Sequence, residues 1–145
     1  MAPKIVVDTS VLIKWFKTRG EELLVEAEKL REEIDRGSVE VHVPALLLYE
    51  VGNILLLKTR LGPAALGEAV AGLEALPMVV APPAAPLLNR AFRLGRQCGL
   101  TFYAASFLAL AIELDCPFVT ADQRLFERTH TLQRVRHLSR VGSIV

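Results

Sequence analysis

Four short apolar runs punctuate the chain, and a stretch with helical spacing separates each from the next. Ile5-Val6-Val7, Val39 to Val43, Met78-Val79-Val80 and Phe118-Val119-Thr120 are rich in β-branched residues and too short for buried helices, so they read as strands. No Asn-Gly or Asp-Gly pair joins any two of them as a hairpin. Strands alternating with helices are linked by crossovers, which are right-handed and cover both faces of a sheet. The expected fold class is therefore α/β, a three-layer α/β/α sandwich with a mainly parallel central sheet. Apolarity that is continuous rather than alternating agrees with strands buried on both faces.

Between these runs, Thr9 or Ser10 is placed to cap a helix through Val11, Leu12, Trp15 and Phe16. Leu23, Leu24, Ala27, Leu30 and Ile34 recur at helical spacing as far as Gly37, and Pro44 stands where a first turn tolerates it, ahead of Ala45 to Arg60. Further helices are expected over Ala64 to Leu76, around Leu87, Leu88, Ala91 and Phe92 up to Gly99, and over Phe102 to Leu114 behind Thr101. Val135 to Leu138 is a candidate edge strand. At 145 residues without an interior linker, the chain is expected to be one domain, residues 1–145.

Composition excludes several classes. The longest uncharged stretch, Gln97 to Ile112, is short of the ~20 apolar residues a membrane helix needs. Lys4 and Asp8 bracket too short an apolar run for a secretory signal, so a cytoplasmic location is expected. Cys98 and Cys116 are too few for a disulfide framework, and His42, His130 and His137 lack metal-ligand spacing. The net charge is only +1, but it is unevenly spread. Residues 20–40 hold eight acids against three bases, whereas residues 89–145 hold eight arginines against four acids.

Three acids stand where chemistry is expected. In open α/β sheets, sites form beyond the carboxyl ends of strands; Asp8 ends the first strand and Asp122 follows the fourth. Glu50 sits in a helix apolar nearly all round, Ala45 to Leu57, which predicts burial on more than one side and a need for a cation or a basic partner. Asn53 lies three residues on, over the same helical face. Clustered carboxylates repel unless a hard cation joins them, and Mg2+ or Mn2+ with oxygen ligands suits metal-assisted hydrolysis of a phosphodiester.

Three separated segments carry a resemblance. Ile5 to Leu12 with Asp8, Pro44 to Asn53 with Glu50, and Val119 to Leu125 with Asp122 together resemble the PIN domain family, and within it the VapC-type toxin ribonucleases of type II toxin–antitoxin systems. The resemblance implies a metal-dependent endoribonuclease using Mg2+ or Mn2+, a homodimer, an RNA substrate and a cognate VapB-like antitoxin. It also implies a further acid after Tyr103, in the segment Gly99 to Ala111, where this chain has Ala104. Ser106, two residues along, faces elsewhere, and Glu113 and Asp115 are too far on to replace that acid.

On this reading Asp8, Glu50 and Asp122 are metal ligands and catalytic residues, with Ala104 at the position of the expected third acid. Thr9, Ser10, Asn53 and Thr120 are placed to orient them. Candidate RNA contacts are Lys14, Lys17, Arg90, Arg93, Arg96, Arg124 and Arg128. Tyr49, Leu56 and Leu57 are candidates for a dimer face. A catalytically dead module of the same fold, binding an antitoxin or RNA without cleaving, is the alternative. A dehalogenase-like phosphatase fits less well, because it needs a second Asp where Ser10 stands.

Overall fold

The computed structural model describes residues 1–144. Its strands are β1 (Lys4–Val7), β2 (Glu40–Pro44), β3 (Met78–Ala81), β4 (Phe118–Thr120) and β5 (Val135–His137). They form one sheet in the order β3-β2-β1-β4-β5, and every neighbouring pair is parallel. The α/β architecture follows. Helices α1 (Thr9–Leu12) and α2 (Leu24–Asp35) link β1 to β2, while α3 (Leu46–Lys58) and α4 (Pro63–Ala75) link β2 to β3. Helices α5 (Ala85–Cys98) and α6 (Phe102–Glu113) carry the chain back across the sheet to β4, and α7 (Gln123–Thr129) leads on to β5. Crossovers of one hand that run in opposite directions put their helices on opposite faces.

Chain order reverses between β1 and β4, so a crevice is expected beyond the carboxyl ends of those two strands. The core beneath it is apolar and closed: Ile5, Leu12, Leu30, Leu47, Leu108, Phe118 and Leu138 are all fully buried. Gly99 ends α5 in the left-handed conformation (φ 66°) that suits glycine. Among the described residues no helix is long and apolar enough to cross a membrane.

The structure corrects several expectations. The first helix is capped by Asp8, not by Thr9 or Ser10, because the chain is already extended at Asp8 and its carboxylate accepts from Val11 N. It is also short, passing into a 3-10 turn over Ile13–Trp15. Pro44 belongs to β2, paired with Ala81, and helix α3 starts two residues later. The helix surrounded by core is α6, whose residues Ala105 to Ala111 are all buried against α5 and the sheet. Helix α3 buries only one stripe, Leu47, Val51 and Leu55, and leaves Tyr49, Leu56 and Leu57 exposed on the opposite face. The apolar lining of α3 is thus surface, and Glu50 is half-buried rather than enclosed.

Candidate active site

A cavity of about 240 Å³ opens at the crevice between β1 and β4, lined by Asp8, Glu50 and Asp122 together with Thr9, Ser10 and Ala104. Thr101, Tyr103, Phe107 and Leu125 complete its wall. The residues come from four helices, all of which begin or pass at the carboxyl end of the sheet. Position 104, in the first turn of α6, therefore faces the same space as the three acids.

Each carboxylate is held by neighbours. Asp8 accepts from Ser10 Oγ and Thr120 Oγ1, both at 2.5 Å, and from Val11 N at 3.3 Å. Ser10 Oγ in turn accepts from Ala121 N at 2.9 Å, and Thr120 Oγ1 accepts from Asp122 N at 3.1 Å. These two hydroxyls tie the ends of β1 and β4 together. Thr9 Oγ1 donates to Glu50 Oε1 at 2.8 Å, linking α1 to α3. Asp122 caps α7 by accepting from Leu125 N at 3.1 Å, and it is exposed to solvent.

Asp8 is only 5% exposed. Its burial pushes the carboxyl up to about 6, against the lowering effect of the bonds from Ser10, Thr120 and Val11, and the Asp122 charge raises it further. Among the described residues no lysine or arginine lines this cavity, so the Asp8 carboxylate has no cationic partner there.

Not every expected residue comes to the cavity. Asn53 lies on the exposed outer face of α3, because Glu50 sits at the edge of the buried stripe and the next turn rotates away. Ser106 is buried and donates to Phe102 O at 2.8 Å, so it is turned into its own helix as expected. Arg124 and Arg128 line a neighbouring cavity of about 270 Å³ that shares Ala104 and Asp122 with the first. Arg90, Arg93 and Arg96 lie along α5 and line neither cavity. Lys14 is buried and Lys17 half-buried, both paired with Glu21. Tyr103 and Phe107 escaped the sequence reading as site residues, since an aromatic in an apolar helix looks like core; their proximity to position 104 was the available signal.

Thr101 accepts from Ala104 N at 3.1 Å and so fixes the first turn of α6 beside the cavity. Thr101→Ala is expected to cost about 1 kcal/mol, the usual worth of such a cap, read as a lowered midpoint in urea unfolding.

The PIN domain family model matches residues 5–131, and the chain belongs to the PIN domain family. Its relatives within that family include a VapC ribonuclease. It is 31% identical to Ribonuclease VapC1 of Mycobacterium tuberculosis over 123 residues, which cover 83% of this chain and 86% of that one. Among solved structures it is similar to PAE2754 from Pyrobaculum aerophilum, with a TM-score of 0.67 and 25% identity over 99% of this chain and 98% of the other. It shares its fold with a chain of a toxin–antitoxin complex from Klebsiella pneumoniae, with a TM-score of 0.68 and 15% identity over 92% of this chain and 97% of the other.

Proposed function

We propose that the chain is a VapC-type endoribonuclease that hydrolyses RNA phosphodiester bonds with Mg2+ or Mn2+ in the acidic cavity. The observation that carries this reading is the meeting of Asp8, Glu50 and Asp122 at the switch point of the sheet, in a cavity that no lysine or arginine lines. The ribonuclease name of the Mycobacterium relative supports it.

The donors are oxygens only, which suits a hard cation. Among the described residues no three His, Cys, Asp or Glu side chains stand close enough to enclose an ion. That arrangement fits Mg2+ or Mn2+ held by one or two carboxylates and several of its own waters, rather than by a complete protein cage. When bound, the ion supplies an acidified water for in-line attack and stabilises charge on the phosphate oxygens. In this reading Asp8 and Glu50, whose carboxylates accept from neighbouring hydroxyls, would hold the ion, with the exposed Asp122 at the rim. Ser10 and Thr120 fix the orientation of Asp8, and Thr9 fixes that of Glu50. Arg124 and Arg128 offer contacts for phosphates entering along α7.

RNA cleavage over a panel of structured and single-stranded RNAs tests the reading. Cleavage is expected in Mn2+, stopped by EDTA and lowered at least about tenfold by Glu50→Gln. Cleavage that survives EDTA overturns the metal assignment. The second reading, a module that binds without cleaving, is favoured by Ala104 alone, and it wins if RNA or antitoxin is bound while no form of the chain cuts.

The reading extends to partners and place. An antitoxin partner is part of the VapC reading, which the 31% identity to Ribonuclease VapC1 supports, and the cytoplasm is where such a pair would meet RNA. A homodimer would cover the exposed apolar face of α3, where Tyr49, Leu56 and Leu57 are 78%, 67% and 69% exposed. Leu57→Glu, on that face, is expected to turn a dimer into a monomer with its fold retained, as read by sedimentation and circular dichroism. An unchanged dimer would move the interface elsewhere.

A further inference from the structure

Close to the acidic cavity, a single carboxylate holds two lysines. Glu21 accepts from Lys14 Nζ at 3.0 Å through one oxygen and from Lys17 Nζ at 3.2 Å through the other. The three side chains are largely withdrawn from water, at 7% exposure for Lys14, 16% for Lys17 and 19% for Glu21. Two cations on one anion leave a positive charge uncancelled where solvent screens it poorly. Lys17 also donates to the Arg19 carbonyl at 2.6 Å; among the described residues, Lys14 bonds to Glu21 alone.

Lys14 and Glu21 line a cavity of about 430 Å³ whose other walls include Ala121 and Gln123, the two neighbours of Asp122 in the chain, and His137. Glu22, also on its rim, is exposed to solvent. Lys14 and Glu21 therefore share a cavity with the two chain neighbours of Asp122, and Lys17 is joined to that cavity through Glu21.

The turn that brings Glu21 inward is itself unusual. Gly20 has φ 77° and Leu23 has φ 57°, and the second is a left-handed conformation that a leucine rarely adopts. Leu23 starts α2 without any side-chain cap. Such a residue persists where surrounding contacts over-determine it, and the bonds from Lys14 and Lys17 to Glu21 are contacts of that kind.

A carboxylate shared by two ammonium groups has the chemistry of a phosphate bound by the same groups. We propose that Lys14 and Lys17 form a subsite for a phosphate of the RNA backbone, and that in the free protein Glu21 occupies this subsite as an internal competitor. The inference rests on the RNA reading of the neighbouring cavity. A backbone phosphate enters by displacing Glu21, and the displaced turn is free to relax. Glu21 thereby lowers the affinity for RNA without touching the reacting atoms, so it is a positioning residue that acts on KM rather than kcat.

Two probes separate the subsite from the RNA reading, both used in EDTA so that nothing is cleaved. One is a single-stranded RNA oligonucleotide followed by fluorescence anisotropy. The other is pyrophosphate followed through the His137 ring resonances. Glu21→Gln is expected to bind both about tenfold more tightly at low salt, and its RNA affinity to fall more steeply with salt, by about 0.7 in log–log slope for the added phosphate contact. Adding Lys14→Gln to that variant should remove the gain. In the unaltered chain, pyrophosphate is expected to shift the His137 resonances at higher concentration, a measurement that stands even if Glu21→Gln folds poorly. Binding of both probes that is unchanged or weakened in a folded Glu21→Gln protein overturns the proposal, as does a His137 signal in the unaltered chain that pyrophosphate never moves. Pyrophosphate binding without RNA binding would keep the anion subsite and remove RNA as its ligand. RNA binding indifferent to Glu21 would keep the ribonuclease reading and remove the subsite.

Discussion

Ala104→Asp is expected to raise Mn2+-dependent RNA cleavage by about 100-fold over the unaltered chain, the scale on which one well-placed charge stabilises a transition state. Position 104 already lines the cavity with Asp8, Glu50 and Asp122, so the new carboxylate needs no rearrangement to reach it. Its backbone is prepared as well. Thr101 accepts from the N–H of residue 104, and an acid in the first turn of α6 is favoured by the helix dipole. Without a metal the same change is unfavourable, because it adds a fourth negative group to a cavity that no lysine or arginine lines. The variant should therefore unfold more easily than the unaltered chain in EDTA and recover in Mn2+. Single-turnover cleavage assays and urea unfolding, each with and without metal, read both halves of this expectation. A variant no more active than its parent would show that the cavity's limit lies elsewhere.

Asp8→Asn is expected to stabilise the protein near neutral pH by about 3 kcal/mol while destroying metal binding. The sign follows from the proton. Burial raises the Asp8 carboxyl from an ordinary 3.8 to about 6, so between those values the folded chain holds a proton that the unfolded chain has released. Stability falls as pH rises through that interval, and above about 6 the ionised carboxylate carries the whole cost of its burial. Asparagine is neutral throughout and remains a good cap for α1. Its amide group can still meet Ser10 and Thr120, whose hydroxyls turn to suit. Urea unfolding in EDTA should show the variant ahead near neutral pH and the two proteins level at about pH 4. A constant difference across that range would mean that Asp8 is not the group that titrates. Against a total stability of about 5–15 kcal/mol, a cost of about 3 kcal/mol is large for one side chain.

Much of this was legible in the sequence, and for stated reasons. Short β-branched runs spaced by helices leave few topologies, so the parallel sheet and the placing of Asp8 and Asp122 at strand ends followed from pattern alone. Position 104 drew attention through family likeness, and the geometry puts it in the cavity wall. Burial was harder to read. Helices α3 and α6 are both apolar along most of their length, yet α6 is enclosed by α5 and the sheet whereas α3 packs one stripe inward and shows the other to solvent. Hydropathy does not distinguish a core helix from one that has an uncovered apolar face. The cap of α1 is Asp8 rather than Thr9 or Ser10; all three are competent caps, and only backbone geometry selects among them. The hold of Glu21 on Lys14 and Lys17 left little trace: both spacings, seven and four residues, have helical form, yet the segment is a turn, and no residue pattern marks a left-handed Leu23.

The ribonuclease reading requires the cavity of Asp8, Glu50 and Asp122 to take up a hard divalent cation on one or two of its carboxylates. Mn2+ binding at neutral pH, followed by electron paramagnetic resonance of the free ion, tests it most directly. Weak binding by the unaltered chain is expected, with at least about tenfold tighter binding by Ala104→Asp, and loss in both backgrounds on Glu50→Gln or Asp8→Asn. Mn2+ affinity indifferent to all of these changes would contradict it.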